Sequence, residues 1–113
     1  MHELPVSQNI LEISLKYANR ENASKILNIY VVIGQLTSFI DESIQFYWDI
    51  ISKDTIAEGA ELRFTRIPAE FMCKLCNYSF PLSENQFTCP NCQSNQVEII
   101  KGKEFYLDSI DIE

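Results

Sequence analysis

The chain has 113 residues, 46% of them hydrophobic, with 9 Lys or Arg against 16 Asp or Glu, and a formal net charge of −7. This length fits one compact domain, or one small domain with a metal-stabilised lobe that is too short to form its own core. Phosphate binding needs clusters of Lys and Arg, which the sequence lacks, so nucleic acid is not an expected partner.

The sequence also predicts a cytoplasmic protein without a membrane partner. The longest apolar stretch, residues 29–33, is far below the ~20 residues that span a bilayer. The start of the chain, Met1-His2-Glu3, lacks the basic residues of a secretory signal. In a reducing compartment, four cysteines in two CxxC pairs predict metal ligands rather than disulfides.

The first half of the chain predicts a helix, a strand and a second helix. Residues 6–20 have apolar side chains at helical spacing, with Ser7 as a candidate cap. Residues 24–33 are β-branched and aliphatic and end at Gly34, which predicts a strand covered by a helix on at least one side. Asp41 and Glu42 predict the start of the second helix. The expected apolar faces of the two helices are Val6, Ile10, Ile13 and Tyr17, and Ile44, Tyr47, Trp48 and Ile51.

The second half predicts two strands separated by a loop-rich lobe. Residues 60–67 alternate apolar and polar side chains before Pro68, as a strand does. Residues 72–96 show little periodicity and contain four cysteines, as expected of a metal lobe. Residues 105–112 alternate again and predict a last strand that returns to the first sheet. The metal lobe is therefore expected to be an insertion in an α+β fold.

The four cysteines form two pairs, Cys73/Cys76 and Cys89/Cys92, separated by twelve residues. Two turns at this spacing can bring four thiolates onto one tetrahedral ion, and a shell with no open position is structural. Structural zinc is the favoured interpretation, with rubredoxin-like iron and redox-active thiols as alternatives. Rubredoxin-like sites usually have glycine after each pair, whereas Asn77 and Gln93 stand here, which favours zinc.

The amino terminus is the second candidate metal site, because the only histidine in the chain is His2. An α-amine has a pKa near ~8, so a metal ion can displace its proton at neutral pH. The Met1 amine, the following backbone nitrogens and the His2 imidazole can form the square-planar nitrogen field that nickel(II) or copper(II) prefers. Glu3 can add its backbone nitrogen or its carboxylate, and Asp41 can hold the imidazole as an outer partner. The alternative is that His2 is incidental, on a frayed chain end.

These features together resemble one family of proteins. They are Met1-His2-Glu3, Gly34, Asp41-Glu42-Ser43, Glu58-Gly59-Ala60-Glu61-Leu62 and the cysteines Cys73, Cys76, Cys89 and Cys92. Their order and spacing resemble the HypA/HybF family of hydrogenase nickel-incorporation proteins over essentially the whole chain.

The resemblance implies a nickel-binding domain of two helices packed on a three-stranded sheet, with a zinc domain inserted before the last strand. We expect the first domain to comprise residues 1–68 and 99–113, and the zinc domain residues 69–98. The resemblance further implies that His2 binds nickel, that the Met1 amine and Glu3 complete or support the site, and that Asp41 lies near it. Some relatives carry histidines just beyond each cysteine pair; this chain does not, so a histidine-for-cysteine exchange is not expected.

The resemblance also implies a function and partners. Similar proteins work with a nickel-handling GTPase and deliver nickel to the large subunit of nickel-iron hydrogenase, and in some organisms to urease with its accessory proteins. A homodimer is left open. The main alternative is a zinc-ribbon adaptor that docks a protein partner and handles no nickel. Enzyme activity is not expected, because one terminal histidine offers no general-base constellation.

Overall fold

The structure is a computed structural model that describes residues 3–81 and 88–113. Met1 and His2, which are predicted nickel ligands, lie outside the described residues. The helices and strands in chain order are α1 (Glu3–Arg20), β1 (Ile26–Gly34), α2 (Asp41–Ile51), β2 (Glu61–Ile67), β3 (Glu70–Cys73), β4 (Ser79–Pro81), β5 (Val97–Lys101) and β6 (Phe105–Ile112).

The chain divides into two compact units. The first consists of Met1–Val32, Ser38–Thr65 and Tyr106–Glu113, and the second of Ile33–Thr37 and Arg66–Phe105. The second unit thus includes the end of β1 and the residues that follow it, in addition to the cysteine lobe. The boundaries at 68 and 99 stay a prediction.

The first unit contains a sheet in the order β2-β1-β6. Lys25 and Glu113 exchange backbone hydrogen bonds, N to O, of 3.3 and 2.8 Å. Such reciprocal bonding joins antiparallel neighbours. The last strand therefore returns to the first sheet, as predicted. The expectation of two helices packed on a three-stranded sheet, with a four-cysteine lobe, is confirmed.

Helix α1 begins three residues earlier than predicted, and its buried face differs from the predicted one. Ile10 is buried, but Tyr17 is 46% exposed. The buried stripe consists mainly of small or polar residues: Glu3, Ser7, Ile10, Ser14 and Ala18. Ser7 is inside the helix and not its cap. Its hydroxyl lies 2.8 Å from the Glu3 carbonyl oxygen and 3.0 Å from that of Ile44, so small side chains here allow α1 and α2 to approach closely.

Helix α2 begins at Asp41, as predicted, and buries Ile44 and Trp48 completely. The Trp48 indole N–H donates to the carbonyl oxygen of Ala60 at 3.2 Å. That bond satisfies the one polar group of the largest buried side chain. Of the described helices, none is long and apolar enough to cross a membrane.

The second unit contains a three-stranded sheet that the sequence did not predict. Its order is β4-β3-β5, and β3 pairs antiparallel with both neighbours. Phe71 of β3 lies opposite Phe80 on one side and Ile99 on the other. The cysteine lobe is thus built on a small sheet, although its three strands are too short to give a clear alternating pattern.

Candidate metal centre

The first cysteine pair forms a tight turn at the end of β3. The backbone N–H of Leu75 points to the Cys73 sulfur, with an N to Sγ distance of 3.4 Å. The N–H of Asn77 donates to the Cys73 carbonyl oxygen at 2.9 Å, and the Cys73 N–H donates to the Tyr78 carbonyl oxygen at 2.9 Å. The turn thus directs backbone dipoles at a thiolate.

The second pair repeats this turn residue for residue. The Asn91 N–H lies 3.3 Å from the Cys89 sulfur. The Gln93 N–H donates to the Cys89 carbonyl oxygen at 2.7 Å, and the Cys89 N–H donates to that of Ser94 at 2.8 Å. Two equivalent turns therefore present two thiolates each.

The residue after each pair adopts a left-handed backbone conformation. The φ angle is 61° at Asn77 and 64° at Gln93. Glycine is the residue best suited to such angles, although asparagine also tolerates them. Both turns therefore adopt this conformation without glycine. The preference for zinc over iron that was based on the missing glycines stays a prediction.

The four sulfur atoms converge on one point. All lie within 4.8 Å of one another, and the pairs Cys73–Cys92 and Cys76–Cys89 have Sγ to Sγ distances of 3.5 and 3.6 Å. A tetrahedral ion with Zn–S bonds of ~2.3 Å places its sulfurs ~3.8 Å apart. The cluster therefore fits a tetrahedral zinc ion with little movement.

The environments of the four thiols are unequal. Cys73 and Cys89 are buried, whereas Cys76 and Cys92 are exposed. The Asn91 side-chain amide donates to the Cys76 sulfur at 3.5 Å, and this hydrogen bond is the main reason that the pKa of Cys76 falls to about 6. A thiol with a lowered pKa is readily a thiolate at neutral pH, which is the form that binds metal. The sequence did not predict that Asn91 would bond to Cys76, although Asn91 lies between the two cysteines of the second pair.

A small hydrophobic core supports the cluster. Cys73 and Cys89 pack with Phe71, Phe80 and the partly buried Val97. The ring centroids of Phe71 and Phe80 are 5.8 Å apart. In the described part of the lobe, this core has only four buried side chains, so a metal ion bound by the four cysteines would add to the stability of the lobe.

The described part of the predicted nickel site lies in the first unit, where α1 and α2 begin. Glu3 is only 6% exposed, and its carboxylate oxygen Oε2 accepts the backbone N–H of Ile40 at 3.3 Å. Ile40 is the N-cap residue of α2 and has no side-chain cap, and the half-buried Asp41 follows it. The structure thus places the Glu3 carboxylate at the amino-terminal end of α2, of which Asp41 is the first residue. The sequence did not predict that Glu3 would bond there.

Comparison with known proteins identifies the relatives of this chain. A family model described as hydrogenase/urease nickel incorporation, metallochaperone, hypA matches residues 1–112. The chain belongs to the HypA family. Hydrogenase maturation factor HypA of Caldanaerobacter subterraneus subsp. tengcongensis is 43% identical over 114 aligned positions that cover all of both chains. The HypA protein of Dehalococcoides mccartyi strain 195 is 41% identical over all of this chain and 95% of its own length.

Solved HypA structures share the fold. The solution structure of a HypA protein matches with a TM-score of 0.77 at 23% identity, covering 100% of this chain and 97% of that one. The solution structure of the Ni metallochaperone HypA from Helicobacter pylori matches with a TM-score of 0.68 at 24% identity, covering 99% and 97%. The family is a metallochaperone family rather than a family of enzymes.

Proposed function

We propose that this protein binds Ni(II) at its amino terminus and delivers it during maturation of nickel-iron hydrogenase, while the four cysteines hold a structural zinc ion. Its proposed partners are a nickel-handling GTPase and the hydrogenase large subunit. The family description names urease beside hydrogenase, so urease and its accessory proteins are a second proposed destination.

The observation that carries the proposal is the position of Glu3. Its carboxylate bonds to the Ile40 N–H at the start of α2, and Asp41 is the next residue. His2 is joined to Glu3 by a peptide bond, so ligands from both residues would meet at this helix end. A nickel site built from Met1, His2 and Glu3 would therefore be supported by the fold instead of lying on a free chain end.

The bonding of Glu3 also favours one of its two proposed ligand atoms. The carboxylate is buried and bonded to Ile40. The N–H of Glu3, by contrast, belongs to the first turn of α1, where backbone N–H groups have no partner within the helix. We therefore assign the Glu3 backbone nitrogen, together with the Met1 amine, the His2 backbone nitrogen and the His2 imidazole, to the nickel plane. The carboxylate then positions the chain.

The two metal sites have different chemistry because their tasks differ. Four thiolates around zinc leave no position for a substrate or an exchanging ligand, as a structural site requires. A nickel carrier must release its ion. A dissociation constant of ~1 μM corresponds to about −8 kcal/mol, which ligand exchange with a partner's thiolates can overcome.

The test is nickel titration of the untagged chain by isothermal calorimetry. His2→Ala should abolish nickel binding and leave the zinc content and the fold unchanged. Leu4→Ala, a control at an exposed position of the same helix turn, should bind nickel normally. If His2→Ala binds nickel as the wild type does, the nickel assignment fails and the zinc-ribbon adaptor becomes the better account.

A further inference from the structure

The two cysteine turns give their exposed sulfurs the same backbone donors. Cys76 accepts a hydrogen bond from the N–H of Tyr78, and Cys92 accepts one from the N–H of Ser94. In each turn the donor follows its cysteine by two positions. The backbone alone therefore treats the two exposed sulfurs alike.

The side chains between the cysteines break this equivalence. The Asn91 amide of the second turn donates to Cys76 of the first turn at 3.5 Å. The equivalent position of the first turn holds Leu75, which is 64% exposed and has no N–H or O–H group in its side chain. Within residues 3–81 and 88–113, no side chain other than that of a cysteine donates to the Cys92 sulfur. Cys76 thus has two N–H donors, and Cys92 has one.

This difference sets the reactivity of the sulfurs once a metal ion is bound. All four sulfurs are then thiolates, so they differ in access and in intrinsic nucleophilicity. A hydrogen bond draws charge from a thiolate, and a less basic thiolate is a weaker nucleophile. Cys73 and Cys89 are buried, and Cys76 has the extra donor. Cys92 is therefore the exposed sulfur with the highest nucleophilicity.

We propose that Cys92 is the site at which hydrogen peroxide oxidises the zinc-loaded lobe, and that Cys73 completes the reaction by forming a disulfide with it. The Sγ atoms of these two residues lie 3.5 Å apart, so the sulfur that attacks second is already next to its target. The inference rests on the proposed structural zinc ion, because only a bound metal ion makes all four sulfurs thiolates at once.

The reaction balances with the peroxide as its one co-reactant. The Cys92 thiolate attacks a peroxide oxygen, so an S–O bond forms, the O–O bond breaks and hydroxide leaves. The Cys73 thiolate then attacks the Cys92 sulfur of this sulfenic acid, so an S–S bond forms and the S–O bond breaks to release a second hydroxide. The two thiolates lose two electrons in total, and one peroxide molecule gains them.

The disulfide would remove two of the four sulfur ligands from the zinc ion. Cys76 and Cys89 alone do not complete a tetrahedral shell, so the ion is released. All four cysteines lie in the second unit, so oxidation acts on that unit and not on the first. Peroxide is therefore expected to loosen the cysteine lobe and to leave the helices of the first unit folded.

The test is limited oxidation of the untagged full chain, whose zinc content is measured first. Hydrogen peroxide is added below one equivalent, a chelating dye follows zinc release, and the remaining thiols are alkylated before digestion with trypsin. Cleavage after Lys74 separates Cys73 from the other three cysteines. The expected Cys73–Cys92 disulfide then joins two peptides, whereas a Cys76–Cys89 disulfide stays within one, and mass spectrometry tells them apart.

Exchange of the two side chains between the turns tests the cause. Leu75→Asn offers Cys92 a donor equivalent to Asn91 and should slow zinc release about threefold, because thiolate reactivity falls by roughly half a power of ten per pKa unit. Asn91→Leu removes the side-chain donor from Cys76, so both disulfides should form at similar rates. The double exchange should make Cys76–Cys89 the first disulfide.

A matched control separates the added donor from the lost leucine. Leu75→Ala supplies no donor, so it should keep Cys73–Cys92 as the first disulfide and should not slow zinc release. Each variant is compared after its zinc content and circular dichroism spectrum have been matched to those of the wild type.

The outcomes distinguish this inference from the proposed metal sites. A different first disulfide in the zinc-loaded wild type would overturn it. So would a Leu75→Asn chain that releases zinc as fast as Leu75→Ala, or an Asn91→Leu chain that still forms only Cys73–Cys92. Protein purified without zinc would contradict the structural zinc assignment and this inference with it. None of these results depends on nickel binding.

Discussion

The carboxylate of Glu3 accepts a hydrogen bond from the backbone N–H of Ile40, which stands 37 positions further along the chain. This one contact ties the start of α1 to the start of α2. It also places a negative charge at the amino-terminal end of α2, where the helix dipole is positive. The contact therefore serves the fold and, under our proposal, positions the nickel site.

Removing the Glu3 carboxylate should destabilise the protein. Glu3→Ala leaves the Ile40 N–H without its acceptor and removes the charge, and losses of this kind typically cost about 1 kcal/mol. Glu3→Gln keeps an acceptor oxygen and should cost less. Urea unfolding of the zinc-loaded protein measures both. Glu12→Ala, at an exposed position of α1, is the control, and an equal loss there would contradict the role of Glu3.

How far the sequence predicts this fold depends on the length of each element. Helix α2 and strands β1 and β6 are long enough for their apolar periodicity to be read, and they lie within two residues of the predicted positions. Strands β3 and β4 have four and three residues, which is too short for periodicity to show. Their sheet depends on pairing between distant segments.

The two candidate sites differ in the same way. The cysteine turns follow from local spacing, so the sequence predicts which sulfurs come together. The Glu3 bond to Ile40 is a tertiary contact between residues far apart in the sequence. The apolar periodicity of α1 did not reveal which face is buried, because that face carries Ser7 and Ser14 instead of large apolar residues. The hydroxyls of these serines donate to helix carbonyl groups, which makes their burial acceptable.

Loss of one cysteine should unfold the second unit selectively. Cys73→Ser should lower the zinc content from one per chain to near zero, because a three-thiolate shell binds zinc far more weakly. Amides of β3, β4 and β5 should then exchange with solvent rapidly, while those of β1 stay protected. Lys74→Ala, an exposed non-ligand in the same turn, should leave both measurements unchanged. If Cys73→Ser kept its zinc and its amides in β3, β4 and β5 stayed protected from exchange, the assignment of Cys73 as a zinc ligand would be contradicted.

The stability should depend on pH above 10 through Tyr30. The Tyr30 hydroxyl donates to the Asp111 carboxylate at 2.7 Å, and this bond raises the pKa of Tyr30 above its ordinary value of 10.0. Because the folded state holds the Tyr30 proton more tightly, the stabilisation from this hydrogen bond is fully present below pH 10. It is lost as the pH rises through the folded-state pKa of Tyr30. The stability difference between wild type and Tyr30→Phe should therefore shrink above pH 10 in urea unfolding. The exposed Tyr106→Phe is the control, and a constant Tyr30→Phe difference would contradict the assignment.

A methyl group at Gly34 should be poorly tolerated. A Cβ atom there would lie 2.1 Å from the backbone carbon and oxygen of Gly102, so backbone must move. Gly34→Ala should therefore lower the free energy of unfolding by more than about 2 kcal/mol. Gly59 has a φ of 82° with no atom near its would-be Cβ, so Gly59→Ala should cost about 1–2 kcal/mol, from backbone strain alone. Thermal unfolding compares them, and an equal or smaller loss for Gly34→Ala would show that this close approach is wrong.

The central claim is that the amino-terminal residues, held at the start of α2 by Glu3, bind nickel through nitrogen atoms. The absorption and circular dichroism spectra of the Ni(II)-loaded, untagged protein test this claim most directly. We expect the d–d bands of a planar, nitrogen-rich nickel complex, lost in His2→Ala and in a chain with one extra residue before Met1. The bands should fade as the pH falls below ~8, because the amine and amide nitrogens regain protons. Octahedral spectra, or planar bands that survive the added residue, would contradict the claim.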